Sequence, residues 1–191
     1  MTNSIEKAPT PVYDEPNPRE SSGDFGKEME EQMVARLIKE LPGYETVKGS
    51  SNFDDKDTHV DMLISFENGS ELAIDATCTE NPKEYIEKTR ETLKNPIIQE
   101  HDNNGRVIRQ DNIPKAIFSF NKLNWGKAYN QFLKGEIDNP LEGIDQIESI
   151  KEFKRQVKEC FKNQLDAHRE MELRFKLRKL HGPILALFEK K

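Results

Sequence analysis

The chain has 191 residues, of which 34% are hydrophobic and 34% are charged, and its formal net charge is −6. This length suits one domain with extensions better than two domains. No apolar run reaches the roughly 18 residues of a membrane span, and the first residues lack the basic start and apolar stretch of a signal peptide. We therefore expect a soluble, cytoplasmic protein with no membrane partner. The two cysteines have no metal-binding spacing and are expected to be reduced thiols.

Charge is unevenly distributed along the chain. Residues 1–31 hold eight acids against three bases, whereas residues 150–191 hold twelve bases against six acids. The negative sum argues against a protein coated by nucleic acid, but the basic end leaves phosphate contacts open. Residues 1–23 contain four prolines and almost no apolar periodicity, which predicts a disordered tail.

The next segment predicts a helix followed by three strands. Apolar residues recur at helical spacing from Asp24 to the Pro42-Gly43 pair, where the helix ends. Residues 44–50 read as a first strand, and residues 59–78 as two more strands. The turn between those two contains Asn68-Gly69, a pair typical of tight hairpins.

The second half of the chain is predicted to be mainly helical. A second helix begins at Pro82 and ends near residue 95, residues 101–112 form a loop or a small hairpin, and residues 113–121 form a fourth strand. A short helix is expected at 124–135. The domains predicted are thus a core at 24–135 and a C-terminal helical extension at 140–191.

The extension reads as one long amphipathic helix, continuous or broken, over residues 144–180, ending before Gly182-Pro183. Its apolar stripe runs from Ile147 to Phe175 and must pack on the domain or on a second copy in a homodimer. Its lysines and arginines offer phosphate contacts as an alternative. The interleaved acids favour the packing interpretation.

Three acids interrupt apolar patterns. Glu30 falls in the middle of the apolar stripe of the first helix, where a carboxylate needs a metal, a proton or a base such as Lys48 or Arg90. The hairpin register places Asp61 opposite Asp75 or its neighbour, and facing like charges are destabilising unless a cation lies between them. Together the three oxygen donors suit Mg²⁺ or Mn²⁺, while an ordinary solvated sheet face is the alternative.

The order helix, three strands, helix, strand resembles the PD-(D/E)XK, or restriction-endonuclease-like, nuclease superfamily over residues 26–121. "GKEMEEQMVARLIKELPGY" resembles its first motif with Glu30, "HVDMLI" its strand-two motif with Asp61, and "AIDATC" its strand-three motif with Asp75. The resemblance implies an α/β fold with a mixed central sheet. It also implies that Glu30, Asp61 and Asp75 are the metal ligands.

One position departs from the family pattern. Thr77 stands where the superfamily usually has the lysine that orients the attacking water. Lys83, at the start of the second helix, is our candidate to replace it, and Lys48 is a second possibility, whereas Lys88 is expected to point away. The predicted catalytic set is therefore Glu30, Asp61, Asp75 and Lys83.

The function expected from this resemblance is Mg²⁺-dependent endonuclease activity, that is, hydrolysis of phosphodiester bonds in nucleic acid, with DNA favoured over RNA. The alternative is a catalytically degenerate nuclease-fold protein that acts as a binding or assembly module. The residue that separates the two hypotheses is Thr77.

Overall fold

Five strands and three long helices make up most of the residues that this computed structural model describes. The structure describes residues 34, 36–51, 54–77, 82–119, 131, 134–136 and 146–190. The strands are β1 (Tyr44–Gly49), β2 (Met62–Phe66), β3 (Glu71–Thr77), β4 (Ile97–His101) and β5 (Val107–Ser119). The described end of the first helix, α1, comprises residues 34 and 36–38. The others are α2 (Pro82–Lys94), α3 (Gln146–Ala167) and α4 (Met171–Glu189).

The strands form one mixed sheet in the order β1-β2-β3-β5-β4. β1, β2 and β3 are antiparallel neighbours, and β3 pairs with β5 in parallel. A parallel pair needs a crossover connection, and α2 lies within it. The predicted mixed α/β fold is therefore confirmed. β4 was not predicted; it forms the edge and pairs antiparallel with β5, which makes residues 101–112 part of a hairpin.

The hairpin of β2 and β3 has the predicted register. Met62 lies opposite Ile74, and Gly69 takes the positive φ of 76° that its turn requires. β2 nevertheless begins three residues later than predicted. The residues before it form a π-helical turn, Asp54–Thr58, and His59 has a φ of 52°, which is incompatible with a strand.

The main core lies on one face of the sheet. Helix α1 contributes Val34 and Ile38 of the predicted stripe, and the turn after it contributes Leu41, all buried. The strands contribute alternate residues, and α3 and α4 add aromatic and aliphatic side chains, including Phe153, Phe161, Ile184 and Phe188. The C-terminal helices therefore belong to the same core as the sheet.

The opposite face of the sheet is also buried. A second cluster there consists of Val60, Leu63, Ala73, Ile98 and Ile113. Because both faces are covered, β2 and β3 show nearly continuous burial instead of alternation. Asp75 and Thr77 follow Ala73 at alternate positions of β3, so they share this second face.

Helix α3 runs along the part of β5 that β4 does not pair with. The Gln156 amide accepts from the Ser119 N–H and donates to its carbonyl at 2.8 and 2.9 Å, and Gln164 donates to the Lys115 carbonyl at 2.7 Å. Eight helical residues span about 12 Å and four strand residues about 13 Å, so the two spacings match. The glutamines thus satisfy backbone groups that an open strand edge leaves unpaired.

The boundaries of the C-terminal helices differ from the predicted ones. The chain leaves the helix at residues 168–170, and α4 then continues through Gly182 and Pro183 to Glu189. Pro183 lacks an N–H for the carbonyl of Lys179, but both residues are exposed, so water can satisfy that carbonyl. The predicted end before Gly182-Pro183 is therefore wrong.

The predicted apolar stripe is only partly buried. Its middle packs in the core, whereas Ile147, Met171 and Phe175 are 67%, 85% and 73% exposed. Whether a second copy covers them stays a prediction. No described helix is both long and apolar enough to cross a membrane. The predicted tail at 1–23 lies outside the described residues, as do nine of the twelve residues of the predicted helix at 124–135.

Candidate active site

Asp75 is a buried carboxylate, with 2% of its surface exposed. Its Oδ1 accepts a hydrogen bond from Lys88 Nζ at 2.9 Å. Its Oδ2 lies 4.0 Å from Lys115 Nζ and has no hydrogen-bond partner among the described residues. A buried carboxylate oxygen without a donor is costly, so this atom marks a place where a ligand would be favourable.

Asp61 lies at the same end of the sheet. It directly precedes β2, its N–H donates to the Ile74 carbonyl, and its Oδ2 accepts the N–H of Ala76 at 2.7 Å. The Asp61 side chain thus takes over a backbone bond where the β2–β3 pairing ends. This contact holds the Asp61 carboxylate against the backbone of the residue that follows Asp75 in β3.

The lysine nearest to Asp75 is not the one we expected. Lys88 lies on α2 with 30% of its side chain exposed, and its ammonium bonds to the Asp75 carboxylate. The prediction that Lys88 points away is therefore wrong. Lys83 is exposed in the first turn of the same helix, and Thr77, in the family's lysine position, is 3% exposed. A catalytic role for Lys83 stays a prediction.

Lys115 is a second lysine at this site, and sequence reasoning missed it. It lies on β5 in register with Ala73, is 1% exposed, and donates to the Thr58 carbonyl. Burial lowers the pKa of Lys115, and attraction from Asp75 and Glu91 partly offsets this effect. The available signal was a lysine inside the apolar run "IPKAIF".

Two other basic residues, Lys48 and Arg109, have different partners. The side chain of Lys48 is 51% exposed, and its ammonium pairs with Glu100 at 2.6 Å instead of with Asp75. Arg109 pairs with Glu71 and Asp111.

A buried acid–imidazole pair lies in the turn before β2. Asp54 is fully buried; its Oδ1 lies 2.8 Å from His101 Nδ1, and its Oδ2 accepts the His101 N–H at 3.0 Å. Asp54 is therefore buried although it belongs to the acidic run 54–57. The pair ties this turn to the end of β4. Through Thr58, the same turn also holds Lys115.

Two carboxylates at this site could serve as ligands of a hard divalent cation. The unpartnered Oδ2 of Asp75 and the nearby Asp61 supply the oxygen donors that Mg²⁺ and Mn²⁺ prefer. Within the described part of the chain, no group of three or more His, Cys, Asp or Glu residues is arranged to hold a metal ion. Glu30, the predicted third ligand, lies outside that part. The described donors fit such an ion as two of its ligands, with water to complete the set, and the role of Glu30 stays a prediction.

Comparison with known proteins adds no assignment. No family model, no curated protein and no solved structure matches this chain.

Proposed function

We propose that this protein is a divalent-cation-dependent phosphodiesterase that cleaves nucleic acid, with DNA as the favoured substrate. The observation that carries the proposal is the buried Asp75 carboxylate, which pairs with Lys88 and has one oxygen without a hydrogen-bond partner among the described residues, beside Asp61, which bonds to the backbone of the next residue in β3. Acidic metal ligands and a lysine are the side chains that the resemblance implies for this hydrolysis.

The topology supports a restriction-endonuclease-like core. An antiparallel β1-β2-β3 meander, a crossover containing α2 and a parallel β5 follow the element order on which the sequence resemblance rests. The acids lie on β3 and directly before β2, as in the motifs that the resemblance identifies. β4 is an addition at the sheet edge and does not separate β3 from β5.

Each residue has a distinct task in this proposal. Mg²⁺ or Mn²⁺, when bound, supplies Lewis-acid activation of a phosphate oxygen and of water. Asp61 and Asp75 provide oxygen ligands, and burial of Asp75 keeps its carboxylate in one orientation. Lys88 is the lysine that contacts the water or the phosphate, since its side chain is 30% exposed and already reaches the site. Lys115, at 1% exposure, cannot touch a substrate.

The test is cleavage of single-stranded DNA, double-stranded DNA and RNA with Mg²⁺ or Mn²⁺. Asp61→Asn and Asp75→Asn should each lower the rate at least about 10²-fold, because each removes a ligand charge with little change of shape. Lys88→Ala should cost about as much. Lys83→Ala separates the two lysines, and the contact seen for Lys88 predicts only a few-fold loss there.

Two results would change the assignment. A loss at Lys83 as large as the loss expected at Lys88 would restore the lysine predicted from the sequence. Wild-type protein that is inert on all three substrates would refute the enzyme and leave the alternative, a nuclease-fold binding module.

A further inference from the structure

We propose that Lys88 and a divalent cation are alternative partners of Asp75, so that the cation releases Lys88 when it binds. The inference rests on the proposed function for the identity of the ligand. It adds a form of regulation to the site: the lysine stays paired with Asp75 until the metal is in place.

The two lysines beside Asp75 differ in their freedom to move. Lys115 is 1% exposed and bonds to the Thr58 carbonyl, so its ammonium is fixed inside the fold. Lys88 is 30% exposed and extends from helix α2, with Asp75 at 2.9 Å and the Ala76 carbonyl at 3.5 Å. Its flexible side chain can turn toward water without any change in the backbone. Lys88 is therefore the exchangeable partner.

Electrostatics makes that exchange favourable. The ammonium groups of Lys88 and Lys115 lie 2.9 and 4.0 Å from the Asp75 carboxylate, so a divalent ion would add two positive charges to a site that already holds two ammonium groups. An ammonium that remained about 5 Å away would weaken the binding of a divalent ion by at least roughly tenfold, even in a medium like water. Departure of Lys88 removes that repulsion and frees Asp75 Oδ1 as a ligand.

The first measurement is Mn²⁺ affinity by calorimetry on the whole 191-residue chain. Lys88→Met keeps the length of the side chain but removes the charge, and it should bind Mn²⁺ about tenfold more tightly than wild type. Lys94→Met, an exposed lysine in the last turn of the same helix, is the matched control and should bind like wild type. Equal or weaker binding by Lys88→Met would overturn the inference.

The second measurement uses the wild-type chain and so does not depend on how the variants fold. An amine-reactive ester labels lysines, and mass spectrometry gives the rate at each position. Saturating Mn²⁺ should raise the labelling rate of Lys88 several-fold and leave that of Lys94 unchanged. An unchanged rate at Lys88 would contradict its release.

These outcomes separate the inference from the proposed function. Mn²⁺ binding that Lys88→Met leaves unchanged, in a protein that cleaves DNA, would refute the inference alone. If Lys88→Met binds Mn²⁺ more tightly and the wild-type protein cleaves none of the three substrates, the result would support the inference and refute the enzyme. Absence of Mn²⁺ binding in wild type and Lys88→Met would refute both.

Discussion

His181 should make the protein sensitive to mild acid. Its ring is 1% exposed and stacks on Phe161 between α3 and α4, with a centroid distance of 3.8 Å and an interplanar angle of 2°. Neither ring nitrogen has a hydrogen-bond partner among the described residues. Burial accordingly lowers the pKa of His181 from 6.5 to about 4.

The sign of the effect follows from proton binding. Below pH 6.5 the unfolded chain protonates this histidine, whereas the folded protein resists protonation until the pH approaches 4, so protons favour unfolding within that window. Stability is complete above the unfolded pKa and falls as the pH decreases. The shift corresponds to a loss of about 2 kcal/mol between pH 7 and pH 5, and of roughly 3 kcal/mol by pH 4.

Urea unfolding at pH 7, 6 and 5 measures this loss. His181→Phe keeps an aromatic ring against Phe161 and removes the titrating group, so its free energy of unfolding should fall about 2 kcal/mol less than that of wild type between pH 7 and pH 5. The comparison uses only the dependence on pH, so any repacking cost at pH 7 cancels. Parallel curves for the two proteins would refute the reasoning.

Two matched pairs of substitutions test the packing of the fold by urea unfolding. Gln156→Leu leaves two backbone groups of Ser119 without a partner and Gln164→Leu only one, the Lys115 carbonyl, so the first should cost about 2–4 kcal/mol and the second about half of that. Equal costs would show that water replaces the glutamines. Gly43→Ala and Gly69→Ala share the strain of a positive φ, about 1 kcal/mol, but only at position 43 does the added Cβ meet Leu187, at 2.9 Å. Gly43→Ala should therefore cost more, and the reverse order would contradict the contact.

The sequence predicted the hairpin well because its signals are local. Asn68-Gly69 determines the turn, and the turn determines the register that brings Asp61 and Asp75 to the same end. The start of α2 at Pro82 is equally local. By contrast, β4 lacks a periodic pattern, and it is a strand because it pairs with the first half of β5. Such pairing is a tertiary effect.

The position of Lys88 shows the limit of helical-wheel reasoning. The wheel gave a direction relative to the apolar face of α2, and on that measure Lys88 pointed away. The side chain is long, however, and α2 follows β3 closely, so the ammonium reaches Asp75 from the margin of the helix. A helical wheel gives the direction of each side chain from the helix axis, but it gives no information on where the neighbouring strand lies.

Lys115 meets the same criterion that singled out Glu30, a charge inside an apolar pattern, and the structure places it 4.0 Å from Asp75. A stabilising role alone is a weak explanation for this group of charges. Buried ion pairs seldom stabilise a fold more than apolar side chains of similar size, because desolvation offsets their attraction. Here two ammonium groups surround one carboxylate, and one oxygen of that carboxylate still lacks a donor among the described residues. This arrangement has more charge than packing requires and leaves an acceptor unsatisfied, as in a site that binds a ligand.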